Sequence, residues 1–489
     1  MVSSINHLIG GQFQTSVGSS FHSISPLSGD LIAEGSEASK DDVQQAVADA
    51  QVAFLNWREW TLLERYQLLQ RYGACLKAEK ETLATLITTE MGKPLWEARL
   101  EVTAMLNKID ISYQAYQTRC ADFQHDLGQG RLNVRHVPHG VLVVMGPFNF
   151  PGHLPNGHLV PALLAGNTVV FKPSEYTPLV GQFLGQCLIE SGLPSGVVSI
   201  VHGGPKVGQY LIEQSGISGV LFTGSSTTGR FLSSYFSTRP EVLLAMEMGG
   251  NNALIVDSFD EIDPVVWTII SSAFLTSGQR CTAARRLILV DNDHNRLVLE
   301  RVVAVTKGLK VGSGLDQNVF MGPLVNEQTC QALLKQQSQL ISAGATPLVT
   351  LTRLSRSGFF VTPGIVDVSG LSSVSDGEWF GPFLQVHWVA SLADAVSVAN
   401  ETQFGLSAAV ITKAAQDYHY VRDRLKVGIL NWNMPTNGAS SLAPFGGVGC
   451  SGNFRPSAYY AADYCSYPVA SMESTQCQLP STLPPGLSL

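Results

Sequence analysis

Three residues carry the chemistry that this sequence can do. Cys281 lies in Ser277-Gly278-Gln279-Arg280-Cys281-Thr282, among small residues and beside an arginine. A thiol so placed can be an exposed nucleophile, because the thiolate is the attacking form and a neighbouring cation or a helix N-terminus favours it. Glu247 opens Glu247-Met248-Gly249-Gly250-Asn251, upstream of the cysteine. A carboxylate beside a Gly-Gly turn can be the general base that activates a water, provided that burial raises its pKa. Asn149, in Pro147-Phe148-Asn149-Phe150-Pro151, offers an amide N–H to a developing oxyanion. Together they describe a thiol enzyme that forms an acyl intermediate and hydrolyses it. Each alone has an ordinary structural alternative: a core cysteine, a turn carboxylate, a turn asparagine bonded to its own backbone. Arg280 can equally point away from the sulfur and serve packing.

The elements that must hold these residues follow from patterning. Ser39 to Asp42 has capping-box spacing, and Val43, Ala46, Val47, Ala50 and Phe54 repeat at helical intervals. Residues 58–118 continue as helix, so the first hundred residues read as mostly helical after a short extended entry. From residue 140 the pattern changes. Val141 to Met145, Thr168 to Phe171, Val197 to Val201 and Gly219 to Phe222 are continuous apolar runs. Helical stretches at His158 to Ala165 and Pro178 to Ser191 separate them. Strands without polar alternation, alternating with helices, predict a parallel sheet covered on both faces. Ligands of such sheets gather at the carboxyl ends of the strands. A second α/β stretch spans about 248–440, with strands at 254–256, 287–290 and 408–411 around Cys281. Residues 119–139 read as a hairpin and Tyr464 to Ala470 as a late strand. The Ser-, Pro- and Gln-rich tail from Ser474 reads as a surface arm.

Those ends carry Asn149, Lys172 with Glu175, Gly203-Gly204, and Gly224-Ser225; two of them, with the separate segment from Glu378, suit a dinucleotide. Lys172-Pro173-Ser174-Glu175 follows a buried strand and can hold the hydroxyls of an adenosine ribose. A glutamate there repels a 2′-phosphate, which favours NAD over NADP. Gly224-Ser225-Ser226-Thr227-Thr228-Gly229 can open a helix and present backbone N–H groups to a pyrophosphate. Glu378-Trp379-Phe380-Gly381-Pro382 offers a carboxylate for the second ribose and an aromatic wall. Gly447-Val448-Gly449-Cys450-Ser451-Gly452 matches the dinucleotide fingerprint literally, yet it follows a Pro-Phe-Gly turn rather than a strand and is rejected.

Bulk composition narrows the class. A chain of 489 residues with 45% hydrophobic and 14% charged residues predicts a compact multi-domain enzyme. A net charge of −8 argues against a nucleic-acid partner, though a locally positive pocket for an anionic substrate remains compatible with it. No apolar run is long enough to span a bilayer, and no secretory signal is legible. The eight cysteines are scattered without a Cys-x-x-Cys pair. That spacing predicts reduced thiols in a cytoplasmic protein and no metal site.

In this order the motifs resemble the aldehyde dehydrogenase superfamily over nearly the whole chain. The resemblance implies an α/β fold with two doubly wound parallel-sheet domains, for cofactor and catalysis, plus a small bridging or oligomerisation β element. It divides the chain into 1–118 with 140–246 for NAD, 247–440 for catalysis, and 119–139 with 458–489 for bridging, in a homodimer or homotetramer. It further implies Cys281 as nucleophile, Glu247 as general base, and Asn149 with the Cys281 backbone N–H as oxyanion hole. Lys172, Glu175, Ser225 and Glu378 would contact NAD. Asn251 stands where the superfamily has lysine. Residues 148–158, Gly278 to Thr282 with Arg285-Arg286, Asn431-Trp432-Asn433 and residues 455–465 are similar to the N-succinylglutamate 5-semialdehyde dehydrogenase family, which acts in the succinyl-transfer route of arginine breakdown. Its doubly anionic aldehyde calls for cations and N–H donors, for which Gly438, Ala439, Ser440, Arg455 and His153 are the candidates. The rivals are a dehydrogenase for another acidic semialdehyde, such as glutamate 5-semialdehyde, and a cofactor-free thiol hydrolase.

Overall fold

A computed structural model describes residues 2–128, 130–480 and 482–489. Two seven-stranded sheets dominate it. The first has five parallel strands in the order Leu243–Met248, Gly219–Gly224, Val141–Met145, Thr168–Lys172, Val198–Ile200. The antiparallel strands His7–Ile9 and Gln12–Gln14 extend it. Val141 to Val144 and Thr168 to Lys172 are wholly buried, because helices cover both faces and leave no polar side for alternation.

The second sheet contains the parallel strands Gly364–Asp367, Phe383–Val389, Ala284–Val290, Asn252–Val256, Ser407–Ile411 and Ile429–Trp432. Thr346–Val349 adds an antiparallel edge. A third, antiparallel sheet pairs the Phe123–Asp126 and Arg131–Pro138 hairpin with Ser466–Glu473. No helix among the described residues is long and apolar enough to cross a membrane.

Several expectations need correction. The extended entry contains five short strands between Ser3–Ile5 and Leu31–Ser36, ahead of the Lys40–Trp57 helix. That helix does carry the Ser39–Asp42 capping box. The helix expected from His158 begins at His153. Its first turn is closed from outside, where Glu101 Oε1 accepts the N–H of Gly152 at 2.9 Å and of His153 at 3.0 Å. A tertiary cap of this kind leaves no local signature. Finally, Glu247 does not sit on a turn. It lies inside the edge strand of the first sheet, Leu243–Met248, just before Gly249-Gly250, and is paired with Thr223 of the neighbouring strand.

Candidate active site

Cys281, Glu247 and Asn149 line one cleft of about 1110 Å³. The cleft runs past the carboxyl ends of the first sheet, as the parallel topology requires.

The nucleophile is presented by a strained loop. Thr276, Ser277 and Gly278 all have left-handed backbone, with φ of 56°, 55° and 66°. Two of these are not glycine, and each such residue costs about 1–3 kcal/mol that surrounding bonds must offset. Glu97, from the Leu95–Arg119 helix, supplies them. Its Oε1 accepts the Thr276 N–H at 3.0 Å, and its Oε2 accepts the Thr276 hydroxyl and Arg280 Nη2. Ser277 Oγ donates to Gly322 O at 2.8 Å. A Cβ at Gly278 would lie 2.2 Å from Gly381 O, so only glycine lets this loop pack on the segment after Glu378. Asn252 Nδ2 then donates to Cys281 O at 2.7 Å and pins the residue that follows the loop.

Arg280 therefore follows its packing alternative. It pairs with Glu97 and Thr276 rather than with the sulfur. No helix begins at Cys281 either, since Ala284–Val290 is a strand. The thiol keeps some exposure in the cleft. Burial of its surroundings, then Glu378 and Glu247, push it up to about 12. In the protein by itself the sulfur is held protonated.

Glu247 is 4% exposed. Its Oε1 accepts the Ser457 N–H at 3.0 Å, while Oε2 has no partner among the described residues. Burial raises this carboxyl well above its usual range. An unpartnered, desolvated carboxylate oxygen beside a thiol is what a general base toward water requires. Asn149 Nδ2 donates to Gln279 O at 2.9 Å. An amide has two N–H donors, so this bond orients the side chain on the nucleophile loop and leaves the second donor for the cleft.

Lys172, Glu175, Gly224, Ser225, Thr227, Thr228, Glu378 and Phe380 line the same cleft. Lys172 Nζ lies 3.8 Å from Glu175 Oε2. Ser225 caps the Ser226–Tyr235 helix by accepting the Thr228 N–H. Gly229 is a packing glycine, since a Cβ there would meet Met248 Sδ at 2.1 Å. Ser226 and Gly229 are not among the cleft-lining residues. Phe380 meets Phe148 edge-on at 5.8 Å. These groups fit an extended dinucleotide: an ion pair at one strand end, a capped helix N-terminus, and a buried carboxylate. Glu378 is positioned by glycines, with Gly250 N–H on Oε1 at 3.3 Å and a Cβ at Gly249 only 1.8 Å from Oε2. Overpacking there must displace the carboxylate. Gly249→Ala is expected to weaken NADH binding about tenfold or more, read by fluorescence titration. Unaltered affinity would separate Glu378 from the cofactor.

The substrate-side candidates Gly438, Ala439, Ser440, Arg455 and His153 are not among the residues that line the cleft. Gly438, Ala439 and Ser440 are exposed on the loop after Ile429–Trp432, and Arg455 is exposed without an ion pair among the described residues. His153 is no cation. Burial, with Lys108 and Lys93 nearby, pushes its ring down to about 4. Sequence reasoning also missed the opposite wall, which comes from the Glu327–Ser342 helix through Gln328, Thr329, Leu333 and Gln336. An amphipathic helix gives no chemical signal of that role. Pro205, Lys206 and Gln209 were findable, because Gly203-Gly204-Pro205 opens a helix directly after a strand.

A thiol nucleophile, a desolvated carboxylate and a dinucleotide cleft on a doubly wound sheet define a cofactor-dependent thiol oxidoreductase. The aldehyde dehydrogenase family model matches residues 13–468, and the chain belongs to that family. The N-succinylglutamate 5-semialdehyde dehydrogenase of Ectopseudomonas mendocina (strain ymp) is 46% identical over 484 residues, covering 99% of each chain. The crystal structure of an NAD-dependent aldehyde dehydrogenase from Sinorhizobium meliloti superposes with a TM-score of 0.93 at 27% identity, over 99% of this chain and 97% of that one. PnpE from Pseudomonas sp. WBC-3 gives 0.92 at 30% identity, over 98% and 99%. This chain is thus an aldehyde dehydrogenase with a nicotinamide cofactor, and the thiol-hydrolase rival falls away.

Proposed function

We propose that the protein oxidises N-succinyl-L-glutamate 5-semialdehyde to N-succinyl-L-glutamate with NAD, as a step of arginine catabolism in the cytoplasm. The observation that carries this reading is the full-length similarity to the Ectopseudomonas mendocina enzyme, joined to three reactive side chains in one cleft.

Cys281 first loses its thiol proton to solvent; the thiolate then adds to the aldehyde carbon as the C=O π bond breaks, and the oxygen takes up the negative charge. The second N–H of Asn149 and the backbone N–H of Cys281 stabilise that charge. An oxidised nicotinamide cofactor, held by the residues named below, would supply the hydride acceptor. Loss of hydride leaves a thioester on Cys281. Glu247 then takes a proton from water through Oε2, and the hydroxide displaces the thiolate, giving the carboxylic acid. Lys172 and Glu175 bind the adenosine ribose, and Glu175 disfavours a 2′-phosphate. Glu378 binds the second ribose, with Phe380 as the wall. Gly224 to Gly229 present the helix N-terminus to the pyrophosphate.

By the same reading, residues 1–118 with 140–246 form the cofactor domain and 247–440 the catalytic one. The sheet built from 119–139 and 458–489 pairs subunits into a dimer or tetramer. Its exposed Phe123, Val469 and Met472 support that role.

The test measures NADH formation with succinylated and unsuccinylated glutamate semialdehyde in parallel, and with NAD and NADP. The expected result is a kcat/KM at least about a hundredfold higher for the succinylated substrate. Equal values, or a preference for glutamate 5-semialdehyde, would move the assignment to that acidic aldehyde.

A further inference from the structure

Arg285 is a buried cation with no carboxylate in hydrogen-bond contact. It is 0% exposed. Nη1 donates to Gly381 O at 2.9 Å and Nη2 to Arg280 O at 3.0 Å. Nε has no partner among the described residues. Its strand neighbour Arg286 differs, bonding the carbonyls of Asn251, Val398 and Ala399 in a scaffold role. Taking a guanidinium out of water carries a large desolvation cost. Two carbonyl dipoles and the Phe380 ring, 5.6 Å from Cζ, are weak compensation.

The two carbonyls belong to different functional segments. Arg280 O is part of the nucleophile loop, and Gly381 O follows Glu378 and Phe380. Gly278 and Gly381 are pressed together at the same junction. Glu378, three residues before Gly381, accepts only the Gly250 N–H among the described residues, and Arg285 is the main charge favouring its ionised form.

We propose that Arg285 is a positioning residue: through Arg280 O and Gly381 O it clamps the nucleophile loop to the segment carrying Glu378, so that the thiol and that carboxylate are held together to meet the cofactor. This rests on the reading of Glu378 as a cofactor ligand. One buried guanidinium thereby couples cofactor binding to thiol presentation.

The charges facing Glu378 fix the direction of the effect. Arg285 approaches from the Ala284–Val290 strand and the Gly250 N–H from the turn after Leu243–Met248. Glu247 and Cys281 share the cleft, and Asp376 is tied to Asn251, Thr402 and Gln403. Burial pushes Glu378 up to about 7 even with Arg285 in place. Ribose hydroxyls bond the anion more strongly, so affinity falls as pH drops through that value. Without the guanidinium the fall comes at higher pH.

The test is NADH fluorescence titration of the full-length protein between about pH 6 and about pH 9, with thermal melts to monitor folding. In Arg285→Gln the midpoint of the affinity profile is expected to rise by about one pH unit or more, and iodoacetamide labelling of Cys281 to slow. Arg285→Lys, which keeps the charge, is expected to retain the wild-type midpoint. Glu378→Gln is expected to bind weakly at every pH. A wild-type profile in Arg285→Gln, with weak binding in Glu378→Gln, overturns the inference alone. Wild-type binding in Glu378→Gln overturns the cofactor reading beneath it. Should Arg285→Gln not fold, a displaced midpoint in folded Arg285→Lys overturns the charge role.

Discussion

Cys281→Ala abolishes aldehyde-dependent NADH formation, with a loss of about ten-thousand-fold or more in kcat, while NADH still binds. The size follows from the role. Among the described cleft-lining residues Cys281 is the single thiol, and no neighbour can accept the acyl group in its place. The protein by itself holds the sulfur protonated, pushed up to about 12. Burial is the first cause, and the carboxylates of Glu378 and Glu247 are the next. Below that value the thiolate fraction grows about tenfold per pH unit. Iodoacetamide labelling of the wild type is therefore expected to accelerate with rising pH, and to accelerate again when oxidised cofactor is added. Mass spectrometry under slow turnover should find the acyl adduct on Cys281. Residual turnover above about 1% in Cys281→Ala, with no adduct in the wild type, would contradict covalent catalysis at this sulfur.

The parts of the fold that announced themselves are those where local and global physics agree. Val141 to Met145 and Thr168 to Phe171 are apolar and β-branched, and both become buried parallel strands. Ser39 caps its helix with Asp42 as its spacing requires. The strand carrying Glu247 was hidden because Leu-Leu-Ala-Met-Glu-Met has neither β-branched residues nor alternation. Pairing with Gly219–Gly224 imposes it, a case of tertiary context overriding propensity. The same holds for the nucleophile loop. Nothing in Thr276-Ser277 signals left-handed backbone, and Glu97, far away in sequence, holds it there. Residue type marked Cys281, Glu247 and Asn149 as reactive, yet the thiol's environment inverted the expectation. Arg280 turned to Glu97, and the charge that most favours ionised Glu378 is the buried Arg285. Candidates chosen on charge complementarity alone meet local physics that their residue types do not announce. Arg455 is exposed and is not among the cleft-lining residues, and burial beside two lysines pushes the His153 ring down to about 4.

Glu247→Gln separates the two halves of the reaction. In the proposed mechanism thioester formation uses the thiol, the Asn149 amide and the cofactor, so it is expected to survive. Hydrolysis is expected to lose its base. Rapid mixing is expected to give a burst of about one NADH per active site, followed by a steady state about a hundredfold to ten-thousand-fold slower than wild type. Gln is close to isosteric and can still accept the Ser457 N–H through its carbonyl oxygen, so the strand and its cap remain. The wild-type pH dependence has a definite sign. Burial raises the Glu247 carboxyl well above its ordinary range. At pH values below that raised pKa the group is protonated and cannot take a proton from water. Steady-state turnover must then climb with pH through the raised pKa, while the burst amplitude does not follow this ionisation. In Glu247→Gln the climb attributable to this group disappears. The same raised carboxyl makes the folded state bind a proton that the unfolded chain has released, so between its unfolded and folded pKa values stability falls as pH rises. Glu247→Gln, carrying no ionisable group, should flatten that part of the thermal-melt profile. A variant with no burst and a proportionate loss in both phases would place Glu247 in the chemical step before the thioester rather than after it.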